Sequence, residues 1–171
     1  MIVEPLEPGE DGALPGPLLT ELTELYASNQ EFQQLSGDFP DPDDIRPEQV
    51  AASLADELAQ PDSEVLLARS AGRVIGISVT RAHHSDPDDP DPWIGLLMVH
   101  AQDHRAGFGR ELAEIVEKRF RALGRTGIRL AVRDTNQKAI AFWTALGYRE
   151  AERRPDPGAA GRERVVMRKA L

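Results

Sequence analysis

The stretch that decides the fold runs from Trp93 to Leu123 and reads WIGLLMVHAQDHRAGFGRELAEIVEKRFRAL. An apolar run ends at His100, a short polar loop follows, and a helical pattern opens at two glycines, Gly107 and Gly109. The first amides of a helix have no intrahelical acceptors and carry partial positive charge. Glycines at that place let an anion approach the backbone, because no Cβ intervenes. Arg105 and Arg110 add fixed positive charge on either side. The stretch reads as an anion cradle, with a tight strand-to-helix turn as the plainer alternative.

Outward from it, the apolar run Trp93–His100 is suited to a central strand covered on both faces. Beyond Gly109, Leu112, Ile115, Val116, Phe120 and Leu123 fall on one helical face, with Glu111, Glu114, Glu117, Lys118 and Arg121 largely opposite. Gly124 is placed to end that helix. GIRLAVR follows as a strand, and a strand, helix, strand order of this length predicts a right-handed crossover between parallel neighbours. DTNQKAIAFWTALGY predicts a short helix capped by Asp134 or Thr135 and closed by Gly147. Tyr148–Arg154 and Arg162–Lys169 then read as an antiparallel pair around PDPGAAG.

Upstream, Val65–Arg69 and Arg73–Arg81 flank a Ser70-Ala71-Gly72 turn and predict a hairpin. SDPDDPDP, with Pro87, Pro90 and Pro92, is a rigid acidic loop suited to capping it. MIVEPL predicts a short first strand. Leu18, Leu19, Leu22, Leu25 and Tyr26 recur at helical spacing after Pro15–Pro17. SGDFPDPDD is a loop, and a helix from Pro47 places Val50, Leu54 and Leu58 on one face.

The 171 residues suffice for one domain with its own core. With no cysteine, disulfides and thiolate chemistry are excluded, which suits a cytoplasmic protein. No apolar run approaches the roughly 20 residues that span a bilayer, and the N-terminal residues lack the pattern of a secretory signal. The net charge of −9 is unevenly spread: residues 1–64 carry −15 with Arg46 their one basic residue, and residues 65–171 carry +6. No basic stripe interleaves with aromatics, which argues against a nucleic acid partner.

Four segments in order resemble the GCN5-related N-acetyltransferases. RSAGRVIGISV resembles that family's second and third strands, and LLMVHAQDHRAGFGRELAE its acyl-CoA motif. VRDTNQKAIAFWTALGYRE resembles the next motif through Asn136, Ala139, Phe142 and Gly147, and RERVVMRKAL the last strand. The resemblance covers about residue 62 to the C-terminus. It implies a three-layer αβα architecture of α/β (α+β) class, with a mixed, mostly antiparallel sheet of about 6–7 strands and about 4 helices. Residues 1–171 would form a single N-acetyltransferase domain, with acceptor-side helices over about 15–60 and acyl-CoA motifs over about 93–147.

The resemblance also implies acetyl-CoA as co-substrate, with no metal. Its pyrophosphate would lie on Arg105, Ala106, Gly107, Phe108, Gly109 and Arg110. Its pantetheine arm would run along Met98 and Val99, where the strand splays from Leu130–Val132. Asn136 would fix that arm or cap its own helix, and Phe142 and Trp143 would pack near the thiol end or simply fill the core. Two positions depart from the family. His104 stands where Gln or Arg is usual, still able to donate a hydrogen bond. Trp143 stands where many members have a tyrosine that protonates the leaving thiolate, and an indole is no acid at neutral pH. Tyr148 is the nearby substitute. No general base is evident among His83, His84 and His100, and the acceptor amine, the length of the acyl group and the oligomeric state stay open. The acidic N-terminal third predicts a cationic small-molecule or peptide amine as acceptor. The alternative is a non-catalytic acyl-CoA-binding module. A free edge near Arg162–Lys169 would make a homodimer conceivable.

Overall fold

Residues 1–171 are described by a computed structural model, and their apolar periodicity resolves into seven strands and five helices. In chain order come strand β1 (Ile2–Pro5), helices α1 (Gly16–Ser28), α2 (Gln30–Ser36) and α3 (Pro47–Ala59), and the hairpin β2 (Ser63–Ser70) and β3 (Arg73–Arg81). Strand β4 (Trp93–Val99) passes through one 3-10 turn at Ala101–Asp103 into helix α4 (Phe108–Ala122). Strand β5 (Gly127–Arg133), helix α5 (Gln137–Ala145) and strands β6 (Arg149–Pro155) and β7 (Glu163–Ala170) follow.

All strands join one sheet in the order β1-β2-β3-β4-β5-β7-β6. Only β4 and β5 run parallel, because α4 carries the chain back between them. The mixed, mostly antiparallel sheet of the expected α/β class is therefore present. Period-two alternation in β2 sorts its side chains between two layers. Val65 and Leu67 pack with Leu22 and Leu25 of α1 and Val50 and Leu54 of α3. Leu66 faces the other way, into a cluster with Val116 and Phe120 of α4 and Trp143 of α5.

Several details differ from the sequence reading, each for a local reason. Helix α2 adds to the four that periodicity predicts; its seven residues are too few to show a stripe, and Asn29 separates it from α1. The cap of α5 is Asn136, whose Oδ1 accepts from the Ala139 amide at 3.1 Å, in place of Asp134 or Thr135. Glu117 turns inward and is only 3 % exposed, held by Tyr148 and Lys169, whereas Leu123 is 71 % exposed just past the end of α4. Strand β7 lies between β5 and β6 and is paired along both sides, so Arg162–Lys169 offers no free edge. The exposed, charged strand β6 forms that edge instead. No helix is long and apolar enough to cross a membrane.

Candidate active site

The site is built where two parallel strands part. β4 and β5 are matched only at Trp93 with Arg129 and Ile94 with Leu130. On its other side β4 carries a bulge: Leu96 faces Val79 and Ile94 faces Thr80, which leaves Gly95 without an opposite residue. A bulge bends its strand and raises the local twist. β5 meanwhile stays matched to β7 over its whole length. Gly95–Val99 and Ala131–Arg133 thus diverge, and the peptide groups on their facing edges have no strand partner. Gly95 and Ala131, both small and exposed, stand at the mouth of this gap.

At the wide end of the gap lies the loop singled out in the sequence. Its entry is pinned: the Val99 carbonyl accepts from Asn29 Nδ2 at 3.0 Å and from His104 Nε2 at 2.8 Å. A carbonyl only accepts, so the His104 proton on that nitrogen is committed to positioning the loop. The Ser28 hydroxyl accepts from the Ala101 amide at 3.0 Å, and Arg73 holds Asp103 at 2.9 Å. Arg105 (φ 63°) and Gly107 (φ 88°) then take left-handed conformations, which turn the chain sharply into α4. Its first intrahelical bond runs from the Glu111 amide to the Gly107 carbonyl at 3.0 Å. The amides from Arg105 to Arg110 have no acceptor within the chain. They form a ring of donors at a helix N-terminus, with the exposed Arg105 and Arg110 beside them.

The two glycines serve different ends. Gly107 supplies a positive φ that a side chain resists. Gly109 supplies space, since a Cβ there would lie 3.3 Å from the Phe142 ring. Phe142 meets Trp143 edge-on with centroids 4.9 Å apart, and Trp143 meets Tyr148 in the same manner at 5.0 Å. This aromatic ladder locks α5 against the start of α4. Phe142 is half-buried beside the cradle, whereas Trp143 is buried in the core behind it. Met98 is also buried and faces the opposite layer, its sulfur 3.9 Å from Gln33 Nε2.

The candidate acids and bases fare differently. Tyr148 is fully buried and donates to Glu117 Oε1 at 3.0 Å. Burial, reinforced by the Glu117 charge, pushes its hydroxyl above the ordinary phenol range. It does not reach the gap and is no substitute acid. His100 caps the 3-10 turn through Nδ1, and His83 binds Asp62 at the far end of β3. His84 stacks on Trp93 with centroids 4.7 Å apart. The acidic loop before β4 proves to be an anchor: Asp91, 2 % exposed, accepts from Arg129 at 2.8 Å and Arg168 at 2.7 Å. Burial raises the Asp91 carboxyl, but hydrogen bonds from Arg168 and Arg129 outweigh it and hold the group below its usual range.

Sequence reasoning missed α2, which crosses the gap on the face that α1 and α3 cover. Asn29 at its start holds β4, and the Leu35 carbonyl near its end accepts from Arg133 of β5 at 2.7 Å. Lys138 of α5 pairs with Glu31 at 2.6 Å. The available signal was Asn29 itself, a polar residue in an apolar stripe, now only 9 % exposed.

Comparison with known proteins agrees with this architecture. The chain superposes on an acetyltransferase from Thermus thermophilus with a TM-score of 0.72 at 19% identity, covering 100% of this chain and 98% of that one. The ribosomal-protein-S18-alanine N-acetyltransferase from Escherichia coli gives a TM-score of 0.66 at 18% identity, over 99% and 92%. An aminoglycoside 6'-N-acetyltransferase complexed with coenzyme A gives 0.68 at 15% identity, over 99% and 97%. No curated protein matches the chain. A model of the Acetyltransferase (GNAT) family matches residues 22–148, which span both sides of the gap, the donor ring and the aromatic ladder. The chain therefore belongs to the acetyltransferase (GNAT) family and is an acyltransferase of the N-acetyltransferase type.

Proposed function

We propose that residues 1–171 act as one acetyl-CoA-dependent N-acetyltransferase unit, transferring acetyl to a primary amine on a cationic small molecule or peptide. The observation that carries this is the continuity of the strand gap with the ring of free amides at Arg105–Arg110. An extended, amide-bearing arm ending in a pyrophosphate matches both parts. The strand end at Met98 and Val99 would pair with the arm as an added strand does, through amides because Asn29 and His104 already take the Val99 carbonyl. The amides from Arg105 to Arg110, with the two arginines, would hold the phosphates. Phe142 shapes the cradle from behind, and His104 and Asn136 set the loop and the α5 start in place.

Acetyl-CoA supplies an activated thioester. In the transfer a C–N bond forms between the amine and the acetyl carbonyl, the C–S bond breaks, and the electron pair leaves on sulfur. The amine loses one proton and the thiolate gains one. Amide donors on the free edge of β4 would stabilise the oxyanion, and holding both reactants in the gap supplies proximity. No carboxylate lies on β4, and Trp143 and Tyr148 are both buried, so water would carry the protons. The −15 balance of residues 1–64, whose helices border the gap, supports a cationic acceptor. Thiol release from acetyl-CoA over a panel of amines tests the reading. Polycationic amines should be preferred, and the preference should fall as salt rises. Equal rates for neutral and cationic amines at every salt concentration would remove the cationic part.

One observation favours a second reading, a non-catalytic acyl-CoA-binding module: an indole stands where an acid is usual, and the adjacent phenol is bound to Glu117. CoA binding with no transfer to any amine would select it.

A further inference from the structure

At the narrow end of the gap, on the acceptor-side face, lies a cavity of about 110 Å³. That exceeds the roughly 10–15 Å³ needed by one water. Its floor is Gly95 and Leu96, the bulge where β4 leaves β5. Its walls come from α1, α2, α3 and the loop after α2: Tyr26, Phe32, Gln33, Asp38, Phe39 and Glu57. Three of these are aromatic, and the charged ones are both carboxylates. Tyr26 and Phe39 meet edge-on with centroids 5.9 Å apart.

Gln33 lines the same cavity but keeps its polar end buried. It is 1 % exposed, and its Nε2 donates to the Tyr26 carbonyl at 3.2 Å. Since that carbonyl only accepts, the carboxamide orientation is fixed, and Oε1 is the atom left without a donor. A buried acceptor without a partner is costly. Glu57 has one loose contact, Arg81 at 3.7 Å, and is 35 % exposed; Asp38 lies open at the rim. Burial, together with the Glu57 and Asp38 charges, pushes the Tyr26 hydroxyl above its usual range, so the phenol stays neutral. The cavity thus combines two carboxylates with aromatic rings. A primary ammonium, with three donors and an attraction to aromatic faces, satisfies that set.

We propose that this cavity anchors a non-reacting ammonium of the acceptor, through Glu57 and Asp38 against the Tyr26, Phe32 and Phe39 rings, and so selects aliphatic diamines. The inference rests on the transferase reading above and deepens it. The anchored group is the non-reacting one for a chemical reason: carboxylates stabilise the charged amine, and a charged amine has no lone pair for attack. The apolar wall offered by Phe32, Val79 and Leu96 suits a methylene chain better than a hydroxylated ring. The reacting amine would then lie beyond Gly95, in the gap.

The test compares 1,4-diaminobutane with 1-aminobutane, by transfer kinetics and by calorimetric titration of CoA-saturated protein. The diamine should exceed the monoamine about tenfold or more in kcat/KM and in affinity, the worth of charge-assisted hydrogen bonds. In Glu57→Gln that ratio should fall towards one, with Asp38→Asn having a smaller effect because Asp38 is exposed. Circular dichroism melts of both variants report whether folding is kept. A wild-type ratio near one, with both amines acetylated, overturns the anchor and leaves the transferase reading intact. If no amine is acetylated, the transferase reading fails and calorimetry decides the anchor. Diamine binding that weakens in Glu57→Gln supports it, and absence of diamine binding overturns it.

Discussion

In the proposed reading the two sides of the β4–β5 gap, a donor side and an acceptor side, would recognise their ligands with different parts of the polypeptide. On the donor side the contacts would be main-chain: six amides without acceptors, two strand edges, and glycines that shape the path. On the acceptor side they would be side chains drawn from three helices and a loop, and the balance of residues 1–64 is −15. Backbone recognition needs a fixed local conformation, and so it leaves a short contiguous trace such as residues 104–110. Side-chain recognition is assembled from residues far apart in sequence, and it tunes readily because each carboxylate can change without altering the fold. The same contrast would separate a donor site suited to one molecule from an acceptor site particular to this chain.

Disturbing each side separately sharpens the contrast. The largest effect is expected behind the donor side, where Glu117 is buried between Tyr148 and Lys169. Glu117→Ala strands both partners and should cost roughly 3 kcal/mol in chemical denaturation. A loss below about 0.5 kcal/mol would show that the trio contributes little. Next comes Gly109→Val, whose Cβ would lie 3.3 Å from Phe142 with further methyls beyond it. Overpacking of this kind is worth about 2 kcal/mol; displacing the helix start should weaken CoA binding about 30-fold while far-ultraviolet circular dichroism stays unchanged. Gly107→Ala, which meets no neighbour but must hold φ 88°, should cost about 1–2 kcal/mol in stability.

The Asp91 anchor should show itself through pH. Its carboxyl is held below the ordinary range in the fold, so its stabilisation is present above the usual aspartate value of about 3.9. That stabilisation is lost as pH falls through the lowered folded value. Asp91→Asn should lower Tm at neutral pH by about 3 °C for each kcal/mol removed, and the difference from the wild type should shrink in acid. A difference independent of pH would assign the effect to packing. The smallest effect belongs to Lys138→Ala. Its pair with Glu31 is exposed on both sides, 79% and 63%, and should be worth less than about 0.5 kcal/mol.

The donor side was legible in the sequence because its determinants are local. Gly107, Gly109, the apolar run before them and the following helix stripe occupy one segment, and the structure sets them in the expected order. The hairpin at Ser70–Gly72 and the helix from Pro47 were legible for the same reason. What escaped depends on contacts distant in sequence. Glu117 looks like a surface residue until Tyr148 and Lys169 arrive, 31 and 52 positions later. Helix α2 has no stripe of its own, and its place over the gap follows from Asn29 reaching Val99 and Leu35 meeting Arg133. His104 looks like a phosphate donor from its place in the motif, yet its Nε2 proton is held by the Val99 carbonyl. The strand order that buries β7 between β5 and β6 leaves no mark in residues 162–169 alone.

The central claim is that the gap and the donor ring act together on one ligand. The most direct measurement is a calorimetric comparison of CoA with its two halves, 3′-phospho-ADP and pantetheine, on the same protein. CoA should bind at least about 100-fold more tightly than either half, since each half occupies only one part of the site. 3′-Phospho-ADP binding as tightly as CoA would reduce the loop to a general phosphate site and contradict the claim.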